Sequence, residues 1–288
     1  LKKIDDYLLI NSGFYLTNQE NEDNKTNPTV LPNIKYYSGN SKINNHNISS
    51  IYEIYNIFRD TNTDIHSENQ QKFSYKINTS NLNYKLNSKI NFETETYTQI
   101  FNTKNKLMDT DSFHTGSFAR LFPILGVSVE SPFKFNKNIY NFTYKPRTQL
   151  IISPGMSNSN KISNEDSSNN SFAIGNVMSL NRYSGSDKLD NSKRISYGFE
   201  IYNEKIKLNL SQTYEFTNNS NFHREQGNDK RLSDLLGSFD FQDKKSFNYN
   251  FRYDVNDNYL KSQNINFISP TIIGDINLSY LDEKTKTD

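Results

Sequence analysis

The feature that most limits the folds open to this chain is a two-residue rhythm of apolar side chains, recurring in segments of strand length. Phe247, Tyr249, Phe251, Tyr253 and Val255 alternate with polar residues, as do Tyr197, Phe199 and Ile201 around Ser196 and Glu200. Period two marks strands with two unlike faces, and no stretch carries the 3.6-residue period of a three-turn amphipathic helix. Only 33% of the chain is hydrophobic, and its mean hydropathy is -0.84. A soluble globular domain has nearly half its residues apolar. A sheet that needs an apolar environment only at alternate positions reconciles the two. Disorder is disfavoured by the aromatic content, 14% with 19 Tyr and 20 Phe.

Along the chain, residues 1–16 read as a ragged strand pair around Asn11-Ser12-Gly13. Strands are expected at 30–37, 48–58, 73–77 and 84–92, with turn chemistry at 39–47 and 78–83 and a loop over 101–116. A long strand follows over 118–135, in which Leu121, Leu125, Val127, Val129, Phe133 and Phe135 share one parity; its partner runs from Tyr140 to Ile152. Hairpins are expected at 195–216 around Asn203-Glu204, at 235–255, and at 261–280 around Pro270.

The sum is roughly twelve strands of about nine to eleven residues, joined alternately by short turns and long polar loops, which is what a transmembrane β-barrel requires. Tyr197, Phe199, Ile201, Phe247, Phe251 and Val255 would face lipid; Ser196, Glu200, Arg252 and Asp254 would face a wet lumen. A soluble β-sandwich or solenoid also alternates, but its strands are shorter and its turns richer in Gly than the 11 glycines here allow. The expected class is all-β, an antiparallel transmembrane β-barrel, incomplete in this chain. A single barrel-domain fragment spans residues 1–288. No run approaches the roughly eighteen apolar residues of a membrane helix. The opening LKKIDDYLL has neither an initiator Met nor the layout of a signal peptide, so the chain reads as a piece of something longer.

Charge and cysteine usage narrow the functions. With 33 basic and 32 acidic residues the net charge is +1, which gives nucleic-acid binding no support. Absence of Cys excludes disulfides, thiolate metal sites and Cys nucleophiles in this chain. The four histidines, His46, His66, His114 and His223, each sit in a polar loop without a GxSxG-like context. No zinc spacing or Gly-rich phosphate loop occurs. No catalytic residue, cofactor or resident metal is therefore expected, and the chain reads as a non-enzyme.

The least strand-like stretch is 162–191, a polar excursion that a closed sheet would hold inside itself or at its mouth. Asn164, Glu165 and Asp166 are consecutive; Asn181, Arg182, Tyr183, Gly185 and Asp187 follow. Adjacent carboxylates and amides are hard oxygen ligands suited to a divalent cation or a basic partner. The plainer alternative is an Asx-type turn whose carboxylates are capped by backbone N–H groups or paired with arginine. Arg182 and Asp187 are expected to pair in the lumen around Gly185. Asn164, Glu165, Asp166, Asn181, Arg182, Gly185 and Asp187 are expected to form one hydrogen-bonded unit.

The order ARLFPILGVSVESPF (119–133), YKPRTQLIISP (144–154), NEDSS (164–168), NRYSGSDK (181–188), RISYG (194–198), LSQTY (210–214), RLSDLLGS (231–238) and FRYDV (251–255) resembles the C-terminal barrel of the LptD family. These are LPS-assembly proteins, also called organic solvent tolerance proteins. The resemblance covers residues 119–268 well and 28–100 more loosely, through VLPNIKYYSGN. Ser163 stands where the family has Pro, Ser186 where it has an aromatic, and Lys188 where it has Arg.

The resemblance implies a lipopolysaccharide transporter of the Gram-negative outer membrane. Its partners would be lipopolysaccharide, outer-membrane lipid, an LptE-like lipoprotein plugging the lumen, and an LptA-like periplasmic bridge that delivers cargo to a jellyroll outside this chain. It also implies a larger barrel, of which these strands are about half, with lipid leaving sideways through a seam. Arg224, Lys230 and Arg231 could then meet lipopolysaccharide phosphates, although such loop cations are usually just solvated. The rival to the transporter is a passive porin-like or structural all-β protein of the outer membrane or the secreted fraction.

Overall fold

The computed structural model describes residues 6–16, 24–105, 114–137, 140–167, 172–217, 227–271 and 274–284. Among these the chain is a single antiparallel sheet of 14 strands, and its only helical element is the 3-10 turn Asn24–Thr26. The strands are β1 (Tyr7–Phe14), β2 (Thr29–Ile43), β3 (His46–Phe58), β4 (Asn69–Lys85), β5 (Ser88–Lys104), β6 (Gly116–Glu130) and β7 (Phe133–Lys137). They continue as β8 (Tyr140–Ile152), β9 (Lys193–Tyr202), β10 (Ile206–Glu215), β11 (Leu235–Gln242), β12 (Ser246–Asp254), β13 (Tyr259–Thr271) and β14 (Gly274–Glu283). Each pairs with its neighbour in sequence, except that β8 pairs with both β6 and β7. The sheet is open between β1 and β14, as expected of an incomplete barrel.

Alternation divides the sheet into two unlike faces. On one lie Tyr52, Ile54, Phe73, Ile100, Leu121, Leu125, Leu150 and Ile152, all exposed. On the other lie Glu53, Lys72, Gln99, Arg120, Gln149, Arg194, Glu200, Asn209 and Glu215, all buried. A soluble sheet protein would place these sets the other way round. With charge inside and hydrocarbon outside, strands flanked on both sides pair laterally through both edges, the arrangement a bilayer demands. The wet-side assignment of Ser196, Glu200 and Asp254 holds, since all three are buried on the charged face.

Connections are equally two-sided. The two- and three-residue turns 44–45, 86–87, 203–205 and 243–245 lie at one end, and the long segments 59–68 and 153–192 at the other. Local chemistry sets the tight ones. Asn44 and Leu86 take positive φ of 54° and 51°, while Asn203 Oδ1 accepts from the N–H groups of Lys205 and Ile206 at 2.9 and 2.8 Å.

Several boundaries differ from the sequence reading, and for one reason: polar residues facing the wet side do not end a strand. Asn78–Asn83 is no turn, because β4 runs on to Lys85 with Asn78 opposite Glu95 and Ser80 opposite Glu93. Residues 39–43 extend β2, with an irregularity between Ser38 and Ser41 absorbing Gly39. β5 continues into the expected loop as far as Lys104. β1 is one strand with a register slip between Asn11 and Gly13, not a pair. Pro270 lies within β13 opposite Asp275. The expected strand 118–135 is interrupted at Ser131-Pro132, which together with β1 raises the count to fourteen.

The outward face predicts its own test. Leu125→Arg places a charge in hydrocarbon and should cost about 2–4 kcal/mol, whereas Ile65→Arg, on the β3–β4 connection, should stay within about 0.5 kcal/mol. Urea unfolding in lipid vesicles measures both; equal effects would undo the assignment of the two faces.

Candidate functional site

Residues 153–167 leave the sheet after β8 and residues 172–192 return into β9, both lying against the charged face. Their neck is closed by two buried serines: Ser153 N–H and Oγ both donate to the Ser192 carbonyl at 2.9 Å, and Ser192 N–H donates to Ser153 Oγ at 2.6 Å. From this neck the excursion reaches back as far as β3. Three buried ionic clusters and two apolar ones hold it there.

The first cluster pins Glu165. Arg59, just past β3, makes a two-pronged pair with it, Nη1 to Oε1 at 3.0 Å and Nη2 to Oε2 at 2.7 Å. The same guanidinium donates to the carbonyls of Thr26 and Ser67, each at 3.0 Å, so one arginine ties two loops to the excursion. Fork-to-carboxylate geometry makes such a pair both strong and directional.

The second cluster is built on Lys72 of β4. Its Nζ lies 2.6 Å from Asp166, 2.9 Å from Asp187 and 3.1 Å from Glu53. The two aspartates also cap each other's backbone. Asp187 Oδ2 accepts from the N–H groups of Glu165 and Asp166 at 2.8 and 3.0 Å, and Asp166 Oδ1 accepts from those of Ser186 and Asp187 at 3.0 and 2.8 Å. Tyr55 donates its hydroxyl to Asp187, and Arg120 Nη2 donates to the carbonyls of Ser186 and Asp187 at 2.6 and 2.7 Å. Lys35, 2.7 Å from Glu53, completes a balance of three cations against three carboxylates. Burial alone would raise the Asp166 carboxyl, but the adjoining ammonium and the N–H caps outweigh it and hold it well below the usual carboxylate range. Burial pushes Asp187 the other way, up to about 7, against the pull of Lys72 and with help from the Asp166 charge.

Gly185 makes the close approach possible, since a Cβ there would fall 2.3 Å from the Asp166 carbonyl oxygen and from its Oδ1. Two departures from the family pattern have local uses. Ser163 N–H, which a proline would lack, donates to Gln70 Oε1 at 2.7 Å. Ser186 Oγ bonds both Lys72 at 2.9 Å and Asp166 at 3.1 Å.

The third cluster corrects an expectation. Arg182 does not pair with Asp187; it pairs with Asp190, Nε to Oδ2 at 2.6 Å, and with Glu215 of β10, Nη2 to Oε1 at 2.6 Å. Arg194 adds a second cation to Asp190 at 2.8 Å. The chain reverses at Gly185, which sends Asp187 toward β4 and leaves Arg182 facing β10. Asn181 spans the reversal, donating to the Gly185 carbonyl at 3.2 Å and accepting from Asp190 N–H at 3.1 Å. Asn164 closes a turn of its own, Oδ1 accepting from Ser167 N–H at 3.1 Å. The NED triplet thus has both features of the plainer alternative, capped carboxylates and an arginine pair.

Between the ionic clusters, Leu180 and Leu189 pack on Tyr97, Phe122, Ile124 and Ile151, and Phe172 and Val177 on Leu236. The sequence reading missed Arg59, Lys72, Arg120, Asp190, Arg194 and Glu215. For the four on strands the available signal was charge at inward parity. Of the remaining candidates, His223 and Arg224 lie outside the described residues. His66 Nδ1 is 3.5 Å from Glu165, and Lys230 pairs with Asp257 at 3.1 Å.

An all-β sheet with lipid-compatible flanks and a charge-latched excursion is the setting for the comparison with known proteins. A family model described as LPS transport system D, LptD, matches residues 4–286. The chain belongs to the LptD family. No curated protein matches it. LptD proteins are outer-membrane proteins of lipopolysaccharide transport, so this sheet is part of that apparatus, with lipopolysaccharide as its substrate and other Lpt components as its partners.

Breaking the latches should loosen the LptD sheet. Lys72→Met leaves buried carboxylates short of a cation, and Arg182→Ala does the same to Asp190 and Glu215; each should cost about 3–5 kcal/mol. Gly185→Val should act like Lys72→Met by forcing Asp166 and Asp187 apart. Loss of heat resistance on semi-native gels reads all three, and parental behaviour of Lys72→Met would remove the latch from the account.

Proposed function

We propose that this chain is a central section of a barrel that inserts lipopolysaccharide into the outer leaflet of the outer membrane by geometry, without bond chemistry. The observation that carries the reading is the docking of residues 153–192 on the charged face at the long-loop end. In outer-membrane barrels the long loops are extracellular and the short turns periplasmic. The excursion therefore occupies the outer half of the lumen, which suits a conduit whose cargo leaves sideways and suits an open pore poorly.

Further along the same face, Asp240, Asn248, Asn250, Asn264 and Asn266 form a polar wall on β11 to β13. Its side chains largely bond one another, with Asn250 to Asn248 at 2.6 Å and Asn266 to Asn264 at 3.0 Å. No excursion residue bonds to these five among the described residues. This is the stretch we assign to an LptE-like lipoprotein plug. Cargo reaches the lumen from the periplasmic end by way of an LptA-like bridge and a jellyroll. The charged groups Glu165, Asp166, Arg182, Asp187 and Asp190 are engaged in holding the excursion in place, which supports reading it as a non-enzyme.

Depletion of the full-length protein, followed by assay of lipopolysaccharide at the cell surface, tests the reading. Surface lipopolysaccharide should fall while precursor accumulates in the periplasm; an unchanged surface level removes the transport assignment.

A further inference from the structure

The hairpin of β7 and β8 stands clear of the rest of the sheet at the short-turn end. β6 pairs with β5 only as far as Glu130 opposite Lys89, next to the turn 86–87, and β8 pairs with β9 only as far as Thr143 opposite Tyr202. Beyond those points β7 and the first residues of β8 pair with each other alone, among the described residues. Register nonetheless runs unbroken through the gap: Glu130 faces Arg147 and Phe133 faces Tyr144, three residues on from each. Ser131 N–H still donates to the Pro146 carbonyl at 3.1 Å.

Unbroken register carries the outward face straight into the hairpin. Leu121, Leu125, Val129, Phe133 and Phe135 form one row, and Phe142, Tyr144, Leu150 and Ile152 form the next. The rings stack across the ribbon, Phe135 on Phe142 at 4.9 Å and Phe133 on Tyr144 at 6.4 Å, with Phe199 tilted 5.6 Å from Tyr144. Phe133, Phe135 and Phe142 are 48%, 47% and 38% exposed, as open as the outward residues of the paired sheet. The opposite face carries Lys134, Asn136, Asn141 and Thr143.

From Leu121 to Phe135 the row covers roughly 46 Å along the strand, or about 35 Å along the membrane normal at a tilt near 40°. The apolar band of such a barrel is about 25 Å tall, so the row outruns hydrocarbon, and its aromatic end is the one at the short turns. Aromatic rings favour the headgroup boundary.

We propose that the β7–β8 hairpin is a lipid-anchoring ribbon. It lies with Phe133, Phe135 and Phe142 in the phospholipid headgroup boundary of the periplasmic leaflet, its Lys134 face turned to water. This rests on the membrane reading given above, and the test separates the two.

The chain contains no Trp. Phe135→Trp, placed in the full-length protein and reconstituted in phosphatidylethanolamine–phosphatidylglycerol vesicles, therefore adds an indole read as the difference from the parent. Lipids brominated near the headgroup should quench it at least about two-fold more than lipids brominated near the chain ends. Leu125→Trp, in the same row, should show the reverse. Phe142→Trp repeats the measurement from across the ribbon, and heat-modifiable migration confirms that each variant is folded. Quenching of Leu125→Trp without quenching of the hairpin indoles overturns the anchor and leaves the membrane reading intact; a blue-shifted but unquenched hairpin indole does so by revealing a protein contact. Absence of quenching at all three positions overturns both.

Discussion

A backbone amide in hydrocarbon has no water to bond, and that constraint shapes everything else in this chain. Within hydrocarbon it forces each strand to pair along its length, and β4 and β5 carry the same ladder on for seventeen residues each, past Asn, Ser and Thr that face the wet side. Once the ladders satisfy the backbone, side chains are free to take opposite solvents on opposite faces. The outer set needs only to be apolar, so the chain folds with far less hydrophobic residue than a soluble domain of its size. The inner set can be charged, provided that each charge finds a partner.

That proviso explains how the excursion is held. A loop of polar residues has little apolar surface to bury, and hydrophobic packing supplies only the patches around Leu180, Leu189, Phe172 and Val177. Ion pairs do the rest, shielded from water because sheet and excursion cover each other. Isolated buried charges are costly, and the charges that fasten the excursion are paired: Arg59 answers Glu165, Lys72 answers two aspartates and a glutamate, Arg182 answers Asp190 and Glu215, and Arg194 joins it on Asp190. The value of such networks lies in specificity, since a misplaced excursion would strand several charges at once.

The period-two pattern was legible because hairpins such as β9–β10 and β11–β12 carry aromatics on one face and polar residues on the other, with Asn203 or a charged triplet at the turn. The excursion was legible for the opposite reason, its lack of period. Boundaries were harder wherever both faces were polar: Asn78, Ser80 and Asn81 look like a turn in one dimension, and only their cross-strand partners show a ladder. The Arg182 partner was misjudged because Asp187 is nearer in sequence than Asp190 by little, and Glu215 is far away; which side of Gly185 each side chain leaves from is a backbone fact. Lys72 offered only its charge at inward parity, a sign it shares with many residues of these strands.

The mutual capping of Asp166 and Asp187 ties two short segments together across some twenty intervening residues. Closing a loop costs entropy that grows only logarithmically with its length. Residues added between Ser167 and Phe172, ahead of the packed Phe172, Val177 and Leu180, would therefore barely change the stability of the knot. The fold has in effect separated the fastening from a segment on which length can vary.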